Sequence, residues 1–166
     1  MFTIDASVHL NALNAGEEGN SESRTLLERI HGRPWPVHSP TLLAVEIAGA
    51  VARVLDDADQ AILLMTALRR LPGQVWVSLD SALAVDAAQL AARHRLKGAD
   101  AVYAAVARRH GATLITRDRD QLERLPPVVS TATPGEALGK LDVIEESGSA
   151  MEERGGRDST SAPPPS

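Results

Sequence analysis

From Ala99 to Ala107 the chain reads A-D-A-V-Y-A-A-V-A, apolar or aromatic at every position except Asp100. The run is long and uninterrupted enough for a helix, and Gly111 stands where a C-terminal cap falls. Ala112 to Thr116 then reads as a short buried strand, with Asp118 directly after it. One carboxylate therefore lies near the start of an apolar helix, and a second just past an apolar strand. A lone ionised carboxylate facing a core costs on the order of several kcal/mol, comparable to a domain's whole net stability, unless it is paired or metal-bound. The fold must therefore bring compensation to these acids.

Two more acids stand in the same predicament. Phe2 to Ile4 is a short strand with Asp5 at its C-terminal end, followed by a helix from Ala6 to Leu13. Ser7 either caps that helix or orients Asp5 or a metal-bound water, and the residues alone leave both readings open. Ser39-Pro40 reads as a cap and first helical turn, and from Leu42 to Ala52 the following helix is apolar or small except at Glu46.

The rest of the chain alternates in the same manner. Helices are expected from Asn20 or Ser21 to Gly32, Asp56 to Leu71, Asp80 or Ser81 to His94, in a short turn ending at Leu125, and from Pro134 to Leu141. Strands are expected at Trp35 to His38, Val75 to Val77 and Val128 to Ser130. The Asp56 to Leu71 segment is apolar on two faces, which predicts a buried or subunit-facing helix. Such alternation predicts a three-layer α/β/α domain with a central, mostly parallel sheet. Ligands of such sheets bind at the carboxyl ends of the strands. Asp5 and Asp118 end strands, and Glu46 and Asp100 lie on early turns of adjacent helices, so all four are expected to meet at one sheet edge.

Length and composition set the remaining bounds. The 166 residues suit one domain, and with only 2% aromatics its core must be aliphatic. Residues 142–166 lie in a Gly, Ser, Glu and Pro background that cannot bury a core, so the domain is expected to end at 141 and the tail to be disordered. The absence of cysteine excludes disulfides, thiolate catalysis and Cys-ligated zinc. The five histidines show no metal-ligand spacing and are expected on the surface or at caps. The opening M-F-T-I-D has no basic stretch and no long apolar run, which predicts a cytoplasmic protein without signal or membrane span.

A net charge of −5 speaks at first against a nucleic-acid partner, but Glu145 to Ser166 alone holds five acids against two arginines. Eight of the 17 bases fall between Arg93 and Arg124, beside the acid cluster. Arg95, Lys97 and Arg117 are the candidates for holding a phosphate backbone there. Four converging carboxylates need a counter-charge. Without His or Cys ligands, that charge should be a hard, oxygen-seeking cation, Mg²⁺ or Mn²⁺, which suits phosphoryl chemistry.

The series I-D-A-S, V-E-I-A, L-K-G-A-D-A-V-Y-A-A-V-A and L-I-T-R-D-R-D resembles the PIN-domain nucleases. Within that family it resembles the VapC-like toxins of toxin–antitoxin pairs. The resemblance runs from Phe2 to about Leu138 and implies a PIN-like fold. It places the family's acidic positions on Asp5, Glu46, Asp100 and Asp118 as catalytic residues, with Asp5, Asp100 and Asp118 as metal ligands. Its site-facing hydroxyl falls on Thr116, and Asp120 matches a position that is often acidic. Ser7, Thr116 and Asp120 are accordingly expected to support the acids. The implied activity is a Mg²⁺-dependent endoribonuclease, homodimeric and held inactive by a cognate antitoxin. The alternative is a catalytically silent module of the same fold that binds RNA or a protein. Intact acids at all four positions count against that alternative.

Overall fold

A computed structural model of the chain describes residues 1–33 and 35–155, with side chains described through Glu145. Strand β1 (Phe2–Ile4) leads into helices α1 (Ala6–Leu13) and α2 (Asn20–Gly32). Strand β2 (Val37–Pro40) is followed by α3 (Leu42–Leu55) and α4 (Ala58–Leu68), and β3 (Gln74–Val77) by α5 (Ser81–His94) and α6 (Gly98–Arg109). Strand β4 (Thr113–Ile115), α7 (Arg119–Arg124), β5 (Thr131–Ala132) and α8 (Pro134–Gly155) complete the order. The sheet runs β3-β2-β1-β4-β5 with every pairing parallel. The chain first winds outward from β1 through β2 to β3, then returns to the other side of β1. The gap between β1 and β4 is therefore the topological switch point, where parallel sheets place their ligands.

Alternation along the strands divides the core in two. Leu114 packs with Leu43, Ile47, Leu83, Leu90 and Tyr103 on the face covered by α3 to α6. Its neighbour Ile115 packs with Ile4, Val8, Leu26, Ile30 and Leu141 on the face covered by α1, α2 and α8. The three-layer expectation holds, and the sheet is wholly parallel among the described strands. Among the described residues no helix is long and apolar enough to cross a membrane.

Several boundaries differ from those expected. Ser39 and Pro40 do not open a helix. They pair in register with Trp76 and Val77 of β3, and Thr41 takes the cap position of α3 without a side-chain cap bond. Local cap chemistry lost here to a sheet partner nearly forty residues away. The last strand is not Val128 to Ser130, because the N–H groups of Val128 and Val129 both donate to Leu125 O, at 2.7 and 3.0 Å, in a turn after the helix. The ladder with β4 starts at Ser130 O, which accepts from Leu114 N at 2.8 Å, and the paired register begins at Thr131. The Asp56 to Leu71 helix is shorter at both ends, since Asp56 adopts φ 50° as the terminus of α3 and Asp57 caps α4 through Gln60 N at 2.9 Å.

Helix α8 runs well past Leu141, to Gly155. Two arginines of the α2 region anchor its continuation: Arg29 pairs with Asp142 at 2.6 Å and with Glu145 at 2.9 Å, and Arg33 reaches Glu145 at 3.4 Å. Composition pointed to a loose tail because it scores core burial and is blind to pairing of this kind. The disorder expected for 156–166 falls outside the described residues. Removing residues 146–166 leaves both anchor acids and every described core residue in place. The melting temperature of that truncation is expected to move by no more than about 5 °C, as scanning calorimetry will check.

The loop between α1 and α2 is held by a buried polar knot. Ser23 Oγ donates to Asn11 Oδ1 at 2.7 Å, Asn11 Nδ2 donates to Glu18 O at 3.0 Å, and Asn20 Nδ2 donates to Asn11 O at 2.7 Å. Asn11→Ala strands the buried Ser23 hydroxyl and removes one of the donors to Glu18 O. It is expected to cost about 2 to 3 kcal/mol in urea denaturation, well above a typical surface substitution.

Candidate acidic site at the sheet edge

Asp5 is the residue where β1 becomes α1. Its N–H continues the sheet by donating to Ile115 O at 2.9 Å, and its backbone is extended at the N-cap position. A cap aspartate normally spends its carboxylate on the helix's free N–H groups, but Asp5 makes no such bond. Ser7 Oγ at 2.6 Å and Thr116 Oγ1 at 3.1 Å both donate to its Oδ2, and no described hydrogen bond reaches Oδ1. Ser7 therefore serves the carboxylate rather than the helix, which resolves the choice left open by the residues alone. Its oxygen also accepts from Arg117 N at 3.2 Å, tying the end of β4 to α1.

Asp100, in the first turn of α6, is buried with Asp5. Gln121 Nε2 donates to its Oδ1 at 3.1 Å, while its Oδ2 is buried without a partner. Burial, followed by the charges of Asp118 and Asp5, raises the Asp100 pKa above the usual carboxylate range. Asp118 caps α7 through Gln121 N at 3.1 Å and receives Lys97 Nζ on Oδ2 at 3.3 Å. Its own N–H donates to Thr116 Oγ1 at 3.0 Å, so that hydroxyl bridges Asp5 and Asp118. Glu46 is half-buried and accepts from the Tyr103 hydroxyl at 2.6 Å. Burial raises its pKa, and Asp5 and Asp100 push the same way against the Tyr103 bond.

Asp100 thus feels the charges of Asp118 and Asp5, and Glu46 those of Asp5 and Asp100, beside the β1/β4 switch point. Among the described residues no three acid or imidazole side chains are gathered closely enough to stand as a finished ligand set. The donors are all oxygen, one buried carboxylate oxygen is orphaned, and Lys97 is the cation that pairs with one of the acids. These features fit a hard divalent cation.

The supporting residues divide. Ser7 and Thr116 both hydrogen-bond the Asp5 carboxylate, whereas Asp120 turns away to Arg124 at 3.0 Å. Lys97 lies on Asp118, and Arg95 is exposed beside it at a C-cap with φ 54°. The Arg117 guanidinium instead donates to Glu18 O at 2.6 Å and covers Gly19. At Gly19, with φ +74°, any Cβ would collide with Arg117.

Sequence reading passed over Tyr103 and Gln121. Tyr103 stands three residues after Asp100, so it shares a helix face with that acid, and this spacing was the available signal. Gln121 left none, because an exposed-looking glutamine in R-D-Q-L-E-R proves fully buried. The expectation that the histidines lie on the surface fails for His9 and His38, both buried. His9 occupies the inner face of α1. His38 sits in β2, stacked on His110 with ring centroids 4.2 Å apart.

No curated protein sequence matches the chain. Among solved structures, the chain is similar to VapC20 of Mycobacterium tuberculosis, a toxin that cleaves the sarcin–ricin loop. The TM-score is 0.63 at 20% identity, over 74% of this chain and 94% of that one. It is similar also to a chain of FitAcB from Neisseria gonorrhoeae, with TM-score 0.57, 24% identity and coverage of 81% and 98%. A third is a chain of VapBC2 from Rickettsia felis, bound to a fragment of its promoter DNA, with TM-score 0.61, 12% identity and coverage of 80% and 97%. At these identities the likeness is one of fold. Residues 2–126, most of the sequence, match the model of the PIN domain, and the chain belongs to the PIN domain family.

Proposed function

We propose that this protein is a Mg²⁺- or Mn²⁺-dependent endoribonuclease that acts as the toxin of a toxin–antitoxin pair. The observation that carries the reading is Asp100 Oδ2, a buried carboxylate oxygen without a hydrogen-bond partner beside other acids. Asp5, Asp100 and Asp118 would hold the cation. When bound, it lowers the pKa of water and neutralises charge at the scissile phosphate. The chain's own residues do the rest. Tyr103, whose pKa is raised by burial and by Glu46, stays protonated and holds Glu46 by Oε2. The other oxygen, Oε1, takes the proton of the attacking water, a role suited to a carboxylate with a raised pKa. Ser7 and Thr116 fix Asp5 through one oxygen. Lys97 and Arg95 receive the RNA backbone, and the core domain, residues 1–141, carries the activity.

Partners follow from the same reading. Val45, Val54, Ile62 and Leu63 lie exposed on α3 and α4, apolar side chains of the kind a partner covers. A homodimer and an antitoxin are the covers we assign, consistent with the toxin–antitoxin complexes among the similar structures. Such a pair works in the cytoplasm. The test is direct. Purified protein should cleave RNA with Mg²⁺ or Mn²⁺ and stop when EDTA is added. Full activity in EDTA refutes the mechanism, and RNA retention without cleavage leaves a binding module.

A further inference from the structure

Gln121 is fully buried in α7, one turn after the Asp118 cap. Its backbone N–H donates to Asp118 Oδ1 and its side-chain Nε2 to Asp100 Oδ1, each at 3.1 Å, while its Oε1 finds no partner. Burying an amide in this half-satisfied state is costly, and an apolar side chain would fill the same space without the cost. The hydrogen bond to Asp100 offers a return. The terminal torsion of a free aspartate is broad. An ionised carboxylate can only accept, so the Nε2 donor on Oδ1 fixes the carboxylate plane and turns Oδ2 into the oxygen left for a ligand.

We propose that Gln121 is a positioning residue that orients Asp100 towards a divalent cation and ties it to Asp118 through the first turn of α7. The inference rests on the cation reading above. One residue joins two acids that lie 18 positions apart in sequence, on different helices. Outer hydrogen bonds of this kind to ligating carboxylates change metal affinity by about 10- to 100-fold.

The experiment uses the full chain with Gln121→Met, which keeps volume and removes the donor, and Gln121→Asn, which keeps polarity and is too short to reach Asp100. Isothermal titration with Mn²⁺ alone is expected to show affinity weakened about tenfold or more in both. Cleavage of an RNA oligonucleotide should lose kcat by a similar factor with KM unchanged, because Gln121 does not touch the RNA. Apo melting temperatures should stay within about 5 °C of wild type. A folded variant that binds Mn²⁺ as wild type does overturns the proposal, and so does loss of folding in both variants, which would make Gln121 a core residue only. If wild type itself binds no Mn²⁺, the cation reading fails, a result distinct from variants that match a wild type that binds.

Discussion

Asp100→Asn is expected to lower RNA cleavage by on the order of 10²- to 10³-fold while the metal-free protein melts at or above the wild-type temperature. The two halves have one cause. Asp100 Oδ2 is buried without a donor, and Asp118 and Asp5 repel its charge. Asparagine has the same shape, removes that charge, and supplies an N–H beside Gln121, whose Oε1 also lacks a partner. The sign can be followed through pH. An acid whose folded pKa is raised binds its proton more tightly folded than unfolded. The apo protein therefore loses the contribution of Asp100 and Glu46 as pH climbs from their ordinary values, 3.8 and 4.5, through the raised folded ones. The advantage of Asp100→Asn should grow over that window and shrink when Mn²⁺ is present. Melting curves across pH, with and without Mn²⁺, measure both. An apo variant that melts well below wild type would identify Asp100 as a structural partner. In a growth assay with the chain expressed alone, Asp5→Asn should relieve arrest, and equal toxicity would show that the arrest is not catalytic.

The second large effect concerns acid. His9 is buried on the inner face of α1, and its Nε2 has no partner. Burial, with His31 nearby adding to it, lowers its pKa from 6.5 to about 3. A base with a depressed folded pKa binds protons more readily unfolded, so stability falls as pH drops below 6.5 and continues to fall towards 3. At about 1.4 kcal/mol per unit, the full loss is on the order of 5 kcal/mol, comparable to a small domain's whole stability. His38, lowered by burial and by His110, adds in the same direction. Asp100 and Glu46 oppose it, so the clean readout is a difference. His9→Gln removes the charge that must not be buried. Its urea midpoint should fall less between pH 6.5 and 5 than that of wild type. Parallel decline in both proteins would place the acid sensitivity elsewhere.

How much of this was readable without coordinates depends on the range of each interaction. The alternation of apolar strands and helices is local, and it carried the parallel three-layer architecture. So did the isolation of Asp5, Glu46, Asp100 and Asp118, each conspicuous because its own neighbours are apolar. The switch point beside β1 then follows from strand order, which brings Asp5 and Thr116 into contact across 111 positions. What each acid does with its oxygens was not local at all. Tyr103 meets Glu46 across 57 positions and Gln121 meets Asp100 across 21, and neither partner is marked by hydropathy or spacing strongly enough to be singled out. The same limit explains the longer α8. Arginines on another helix pairing with Asp142 and Glu145 are decided only when distant segments pack, whereas the expected last strand was lost to a local turn in which the N–H groups of Val128 and Val129 bond to Leu125 O. Sequence by itself thus determined the architecture and made the four acids conspicuous, because both are written in short-range patterning. The tertiary structure alone decided which oxygens are held, which are left free and which histidines are buried, because those depend on partners that only folding brings near.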